Sequence, residues 1–138
     1  MNTPIATLVR RYFSAYESKD RQALEDLLDE RFTFSSPLDD RIGRAAYFAR
    51  CWPNSRTLRR FTVEKIFAQG DEAFIRYEAE SATGRKFRNT EWLRFEGGKL
   101  VELQVYFGRD TRPAAPLPVL TPSPRMADWP ATAALFPR

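Results

Sequence analysis

Histidine is absent from this chain of 138 residues. Its absence removes Ser-His-Asp and Cys-His mechanisms, histidine metal sites and the commonest general base. Cysteine occurs once, at Cys51, so there is no internal disulfide and no thiolate cluster for zinc. No metal and no cofactor is therefore expected, and any acid–base chemistry falls to carboxylates, Tyr, Lys or Cys51. Cys51 itself reads as a small buried hydrophobe beside Trp52. No apolar run approaches the roughly 18 residues of a membrane helix. The opening Met1-Asn2-Thr3-Pro4 carries neither the charge nor the apolar stretch of an export signal. The expectation is a cytoplasmic protein with no membrane partner. A concentrated basic face is missing too. The net charge is +4, but arginine and lysine are spread from Arg10 to Arg138 with acids between them. Arg56, Arg59 and Arg60 form a short cluster but no basic face, so nucleic acid is not an expected partner.

What is present suits one globular domain, with 43% hydrophobic and 14% aromatic residues. Thr3-Pro4 reads as a helix start, and Ile5, Leu8, Val9, Tyr12, Phe13 and Tyr16 recur at helical spacing to about Ser18. Asp20 caps a second helix with a stripe of Ala23, Leu24, Leu27 and Leu28. Phe32–Ser35 is a short strand stopped at Ser36-Pro37, followed by a polar turn through Asp39, Asp40 and Arg41. A third helix runs from Gly43 to Trp52, where Pro53 ends it. Residues 58–68, 73–81, 86–95 and 100–107 then read as four antiparallel strands. Helices followed by a meander make an α+β domain over residues 1–108. Residues 109–138 hold seven of the ten prolines and form a separate tail, extended or disordered. Its apolar residues Leu117, Val119, Leu120, Trp129, Leu135 and Phe136 leave open a strap across the domain or a neighbouring subunit.

Glu91 is the most informative residue. Strict alternation puts Phe87, Asn89, Glu91, Leu93 and Phe95 on one strand face, so a carboxylate shares its face with large apolar side chains. Such burial is costly unless the group is paired, hydrogen-bonded or neutral. A polar-bottomed pocket is the arrangement that tolerates it best.

The order of these motifs resembles the nuclear transport factor 2-like (NTF2-like) superfamily, in its SnoaL-like and ketosteroid-isomerase-like branch. The residues that carry the resemblance are Val9–Phe13, Phe32–Pro37, Glu91–Lys99 and Val105–Gly108, within residues 5–108. The resemblance implies a cone-shaped, curved antiparallel sheet wrapped around the N-terminal helices, often dimeric through the outer sheet face. It places Tyr12 where ketosteroid isomerases keep an oxyanion-hole tyrosine, and Glu91 where they keep a protonated acid. Ser36 falls where those enzymes carry the catalytic aspartate, so steroid isomerisation is not expected. Asp39 and Asp40 are near in sequence, either as a solvated turn or as a rim supplying a base.

The strand 73–81 gives two conflicting readings. Hydrophobicity turns Ile75 and Tyr77 to the core, whereas the resemblance turns Arg76 and Glu78 to the pocket; the second is adopted here. Arg76, Glu78 and Asn89 would then face the cavity with Glu91, and an Arg76 pair would keep Glu91 ionised. Without that pair Glu91 would be a neutral acid. A structural ion pair between strands is the alternative. Leu103, Val105 and Phe107 would form an apolar wall, with Trp52 at the pocket mouth. The first functional expectation is binding of a small, partly apolar molecule by a homodimer. The alternatives are a cofactor-free acid–base enzyme and an interaction module whose cone is filled by its own side chains.

Overall fold

The computed structural model describes residues 3–111. The proline-rich tail, apart from its first three residues, lies outside the described residues. Helix α1 spans Ile5–Ser18 and begins one residue later than expected. Pro4 is the cap, its carbonyl accepting the N–H groups of Thr7 and Leu8 at 3.0 and 3.2 Å. The apolar stripe Leu8, Val9, Tyr12, Phe13 and Tyr16 is buried along its length. Helix α2, Arg21–Leu27, starts at Asp20, whose carboxylate accepts the Ala23 N–H at 3.1 Å. Leu24 and Leu27 are buried, but Ala23 is exposed and Leu28 already belongs to the next strand.

That strand, β1 (Leu28–Ser36), is longer than expected, and it pairs in a hairpin with β2 (Asp39–Gly43). The stretch expected to be a polar turn is thus an edge strand. Edge positions tolerate charged residues because one side faces water. Arg41 sits there at φ 49°, with its N–H on the Ser35 hydroxyl at 3.0 Å. Helix α3 is only Arg44–Arg50, and Pro53 lies inside a 3-10 helix, Trp52–Thr57, instead of ending α3.

Four long strands follow: β3 (Leu58–Gln69), β4 (Glu72–Ser81), β5 (Lys86–Glu96) and β6 (Lys99–Asp110). The six-stranded sheet has the order β2-β1-β6-β5-β4-β3, with only β1 and β6 parallel. The expected α+β architecture holds, with the helices on the inner face of a curved, unclosed sheet. Helix α1 lies against that face, where Phe13 packs edge-on to Phe61 at 4.9 Å and beside Tyr77 at 5.0 Å.

Gly108 allows a close approach of β6 to β5. A Cβ at that position would collide with the Arg88 carbonyl oxygen, and the Gly108 N–H donates to Asn89 Oδ1 at 3.1 Å. Gly108→Ala is expected to lower the unfolding free energy by about 1–3 kcal/mol. Urea denaturation of the two proteins, side by side, measures the difference.

Candidate functional site

Strand β5 presents Phe87, Asn89, Glu91, Leu93 and Phe95 to the interior, all of them buried. Glu91 is completely inaccessible, opposite Ile75 on β4 and Val105 on β6. Its carboxyl accepts a hydrogen bond from the Tyr77 hydroxyl, 2.6 Å from Oε2. The Tyr77 oxygen in turn accepts from Asn89 Nδ2 at 3.1 Å. A polar line therefore runs from the β6 backbone at Gly108 through Asn89 and Tyr77 to Glu91. Oε1 of Glu91 is buried with no hydrogen-bond partner among the described residues.

A second polar group is built from the helices. Tyr12 and Tyr16 on α1 meet Tyr47 on α3, whose hydroxyl lies 3.1 Å from that of Tyr12 and 2.5 Å from that of Tyr16. All three rings are wholly buried among Phe13, Phe32, Phe34 and Phe61. Tyr12, the expected partner of Glu91, thus bonds Tyr47, and Tyr77 takes the place beside the carboxyl.

The electrostatics follow from burial. Loss of solvent pushes the Glu91 carboxyl up from its ordinary 4.5 to about 8, against a smaller downward pull from the Tyr77 hydrogen bond. At neutral pH it is predominantly a neutral acid. Burial likewise pushes Tyr12, Tyr16, Tyr47 and Tyr77 well above the ordinary phenol value.

Arg76 and Glu78 correct the adopted reading of β4. The buried residues of that strand are Ala73, Ile75, Tyr77 and Ala79, so Arg76 and Glu78 lie on the outer face. Arg76 pairs with Glu64 at 3.2 Å, and Arg88 shares the same carboxylate at 2.7 Å. Glu78 accepts the Thr111 hydroxyl. The physical reason is the period of two: burying Ile75 and Tyr77 obliges their neighbours to face out. With Arg76 on the far side, no guanidinium from β4 reaches Glu91, and the ionised alternative falls.

The remaining expected residues separate. Asp39 is buried and pairs with Arg50 of α3 at 2.8 Å, whereas Asp40 is exposed. The Ser36 hydroxyl accepts the Leu38 N–H at 3.0 Å within the β1–β2 turn. Trp52 is half-buried, its ring 5.0 Å from that of Tyr16. Leu103 and Val105 are buried beside Leu93 and Glu91, and Phe107 is partly buried opposite Asn89. Tyr77 was available from the alternation of β4, had hydrophobicity been given precedence. Tyr16 offered only a helical stripe, which core packing explains equally well, and Tyr47 gave no signal beyond its place in the third helix. Cavities of about 620 and 600 Å³ open in the α1–α2 groove and beside the start of α1; neither is lined by Glu91. Among the described residues no group of three or more His, Cys, Asp or Glu could hold a metal, and no helix is long and apolar enough to cross a membrane.

The sequence profile of the SnoaL-like domain family matches residues 9–103. The chain belongs to that family. Its fold is that of the NTF2-like superfamily, as solved structures show. An NTF2-like protein of unknown function from Burkholderia xenovorans is 25% identical, with a TM-score of 0.65 over 80% of this chain and 87% of the other. Another from Mesorhizobium loti is 27% identical, with a TM-score of 0.63 over 75% and 89%. A LEH-like epoxide hydrolase from M. tuberculosis shares only 14% identity but has a TM-score of 0.64 over 75% and 81%. That last likeness is one of fold. No curated protein matches the chain.

The buried acid of this SnoaL-like domain makes a signed pH prediction. In the unfolded chain Glu91 titrates near its ordinary value, and in the folded protein near 8. Between these limits the folded state holds the extra proton, so stability falls as pH rises, by up to about 1.4 kcal/mol per unit. The loss levels off above the folded value. Glu91→Gln keeps the shape of the neutral acid and cannot titrate. Its unfolding free energy should gain steadily on the wild type between about pH 5 and pH 8; parallel curves would contradict the raised value.

Proposed function

We propose that this SnoaL-like domain binds a small, mainly apolar organic molecule through the neutral acid of Glu91. The unpartnered Oε1 carries the reading. A buried polar atom without a partner costs roughly 1–3 kcal/mol, which a ligand's polar group would recover. The Tyr77 ring and the apolar neighbours Ile75 and Val105 suit a hydrocarbon skeleton, and a neutral carboxylic acid suits a carbonyl or hydroxyl at its end. The line from Gly108 through Asn89 and Tyr77 holds the carboxyl in one orientation, so little ordering would remain to be supplied on binding. Glu91 is wholly buried, and we infer that a ligand reaches it past half-buried Trp52. The buried, lone Cys51 fits the reducing cytoplasm, where we place the protein.

Cofactor-free acid catalysis is a second reading, favoured by the titration of Glu91 close to neutrality. The fold it shares with an epoxide hydrolase is compatible with it. The candidate bases weigh against it. Ser36 is no base, Asp39 is committed to Arg50, and Asp40 faces solvent. Binding is therefore preferred to turnover.

Native mass spectrometry of the protein as isolated is expected to show an adduct of small-molecule size. A rigid bicyclic ketone such as 2-tetralone should raise the melting temperature of the wild type by a few degrees. Glu91→Leu, similar in size and without polar atoms, should bind the ketone at least tenfold more weakly. Equal binding by both proteins, or neither an adduct nor a thermal shift in the wild type, would dismiss the reading.

A further inference from the structure

The outer face of the sheet carries an aromatic stripe that the interior chemistry does not use. Phe67 on β3 is paired with Phe74 on β4, and Phe74 with Trp92 on β5. Tyr106 on β6 stands one step along, opposite Thr90. Phe67, Phe74 and Tyr106 are 70, 51 and 50% exposed. The Trp92 indole N–H donates to Glu72, on the same outer face, at 2.8 Å. The nearby charges answer one another: Arg76 and Arg88 meet Glu64, and Arg94 meets Glu96 and Glu102. What remains to be covered is therefore apolar, aromatic and nearly neutral, a surface that rarely stays bare.

The chain itself leads onto this face. Beyond the end of β6, the Thr111 N–H donates to the Lys86 carbonyl at 3.0 Å. The Thr111 hydroxyl reaches Glu78, an outward residue of β4. Thr111, the last described residue, thus bonds on the same side of the sheet as the stripe. Residues 113–124 contain no charged residue and five prolines, with Leu117, Val119 and Leu120 among them. Proline-rich chain docks on aromatic-lined surfaces because its rings stack and its backbone has little entropy left to lose. At about 3.1 Å per residue this run alone reaches some 35–40 Å, whereas Phe74 lies four residues, about 13 Å, along β4 from Glu78.

We propose that residues 112–138 pack in cis over the Phe67–Phe74–Trp92–Tyr106 stripe of their own sheet. The NTF2-like resemblance implies instead a second copy on this face. A tethered segment acts at an effective concentration in the millimolar range, which a free copy at micromolar concentration does not match. The cis arrangement takes the face first.

Trypsin tests this in the full-length chain. Arg112 precedes a proline and resists cleavage, so Arg125–Met126 is the tail bond to follow. In the wild type it should be cut slowly. Phe74→Arg and Phe67→Arg, both at exposed positions, should each speed cleavage about tenfold while the mass stays monomeric and the melting temperature falls by only a few degrees. Equal cleavage rates in all three proteins would overturn the proposal. A wild-type dimer that Phe74→Arg converts to monomer would assign the stripe to a second copy and overturn it equally.

Discussion

The hydrogen bond from Tyr77 to Glu91 is the contact on which the interior depends. Among the described residues it is the one hydrogen bond to a buried carboxyl that no cation faces. A carboxylate in such surroundings would bear a desolvation cost that a single phenol cannot offset. The group resolves the conflict by keeping its proton, and everything chemical about the cone follows from that neutrality. A neutral acid can donate as well as accept, and it does not call for a counterion in whatever binds beside it.

That neutrality was decided on the neighbouring strand. Ala73–Glu80 offers two faces of comparable length, one with Arg76 and Glu78, the other with Ile75 and Tyr77. A shift of one residue exchanges them, because side chains alternate with a period of two. With Arg76 inward, Glu91 would have been an anion in an ion pair. With Tyr77 inward, it is an acid in a hydrogen bond. The packing of Phe13 against Tyr77 and Phe61 selects the second arrangement, since aromatic area against α1 outweighs an ion pair that works equally well on the wet outer face.

The four tyrosines show why a buried aromatic is hard to read from sequence. Tyr12, Tyr16 and Tyr47 lie on apolar helical stripes, and periodicity accounts for their rings without distinguishing them from Phe13 or Phe48. Their hydroxyls must nonetheless find partners once the rings are buried, and they find one another across α1 and α3. The resemblance to ketosteroid isomerases anticipated a phenol beside the acid but assigned it to α1. Here it comes from β4, a replacement in space that leaves the type of contact intact.

Local pattern determined much of this protein. The helix stripes, the four long strands and the inward carboxyl of β5 all follow from spacing along the chain, which needs no knowledge of neighbours. The edge strand β2 was hidden, because Asp39, Asp40 and Arg41 read as a turn until Asp39 is seen buried against Arg50. Which phenol meets Glu91, and that no cation among the described residues does, was settled only by tertiary structure. Those contacts join residues far apart in sequence, and their geometry depends on which face of each strand the helices cover.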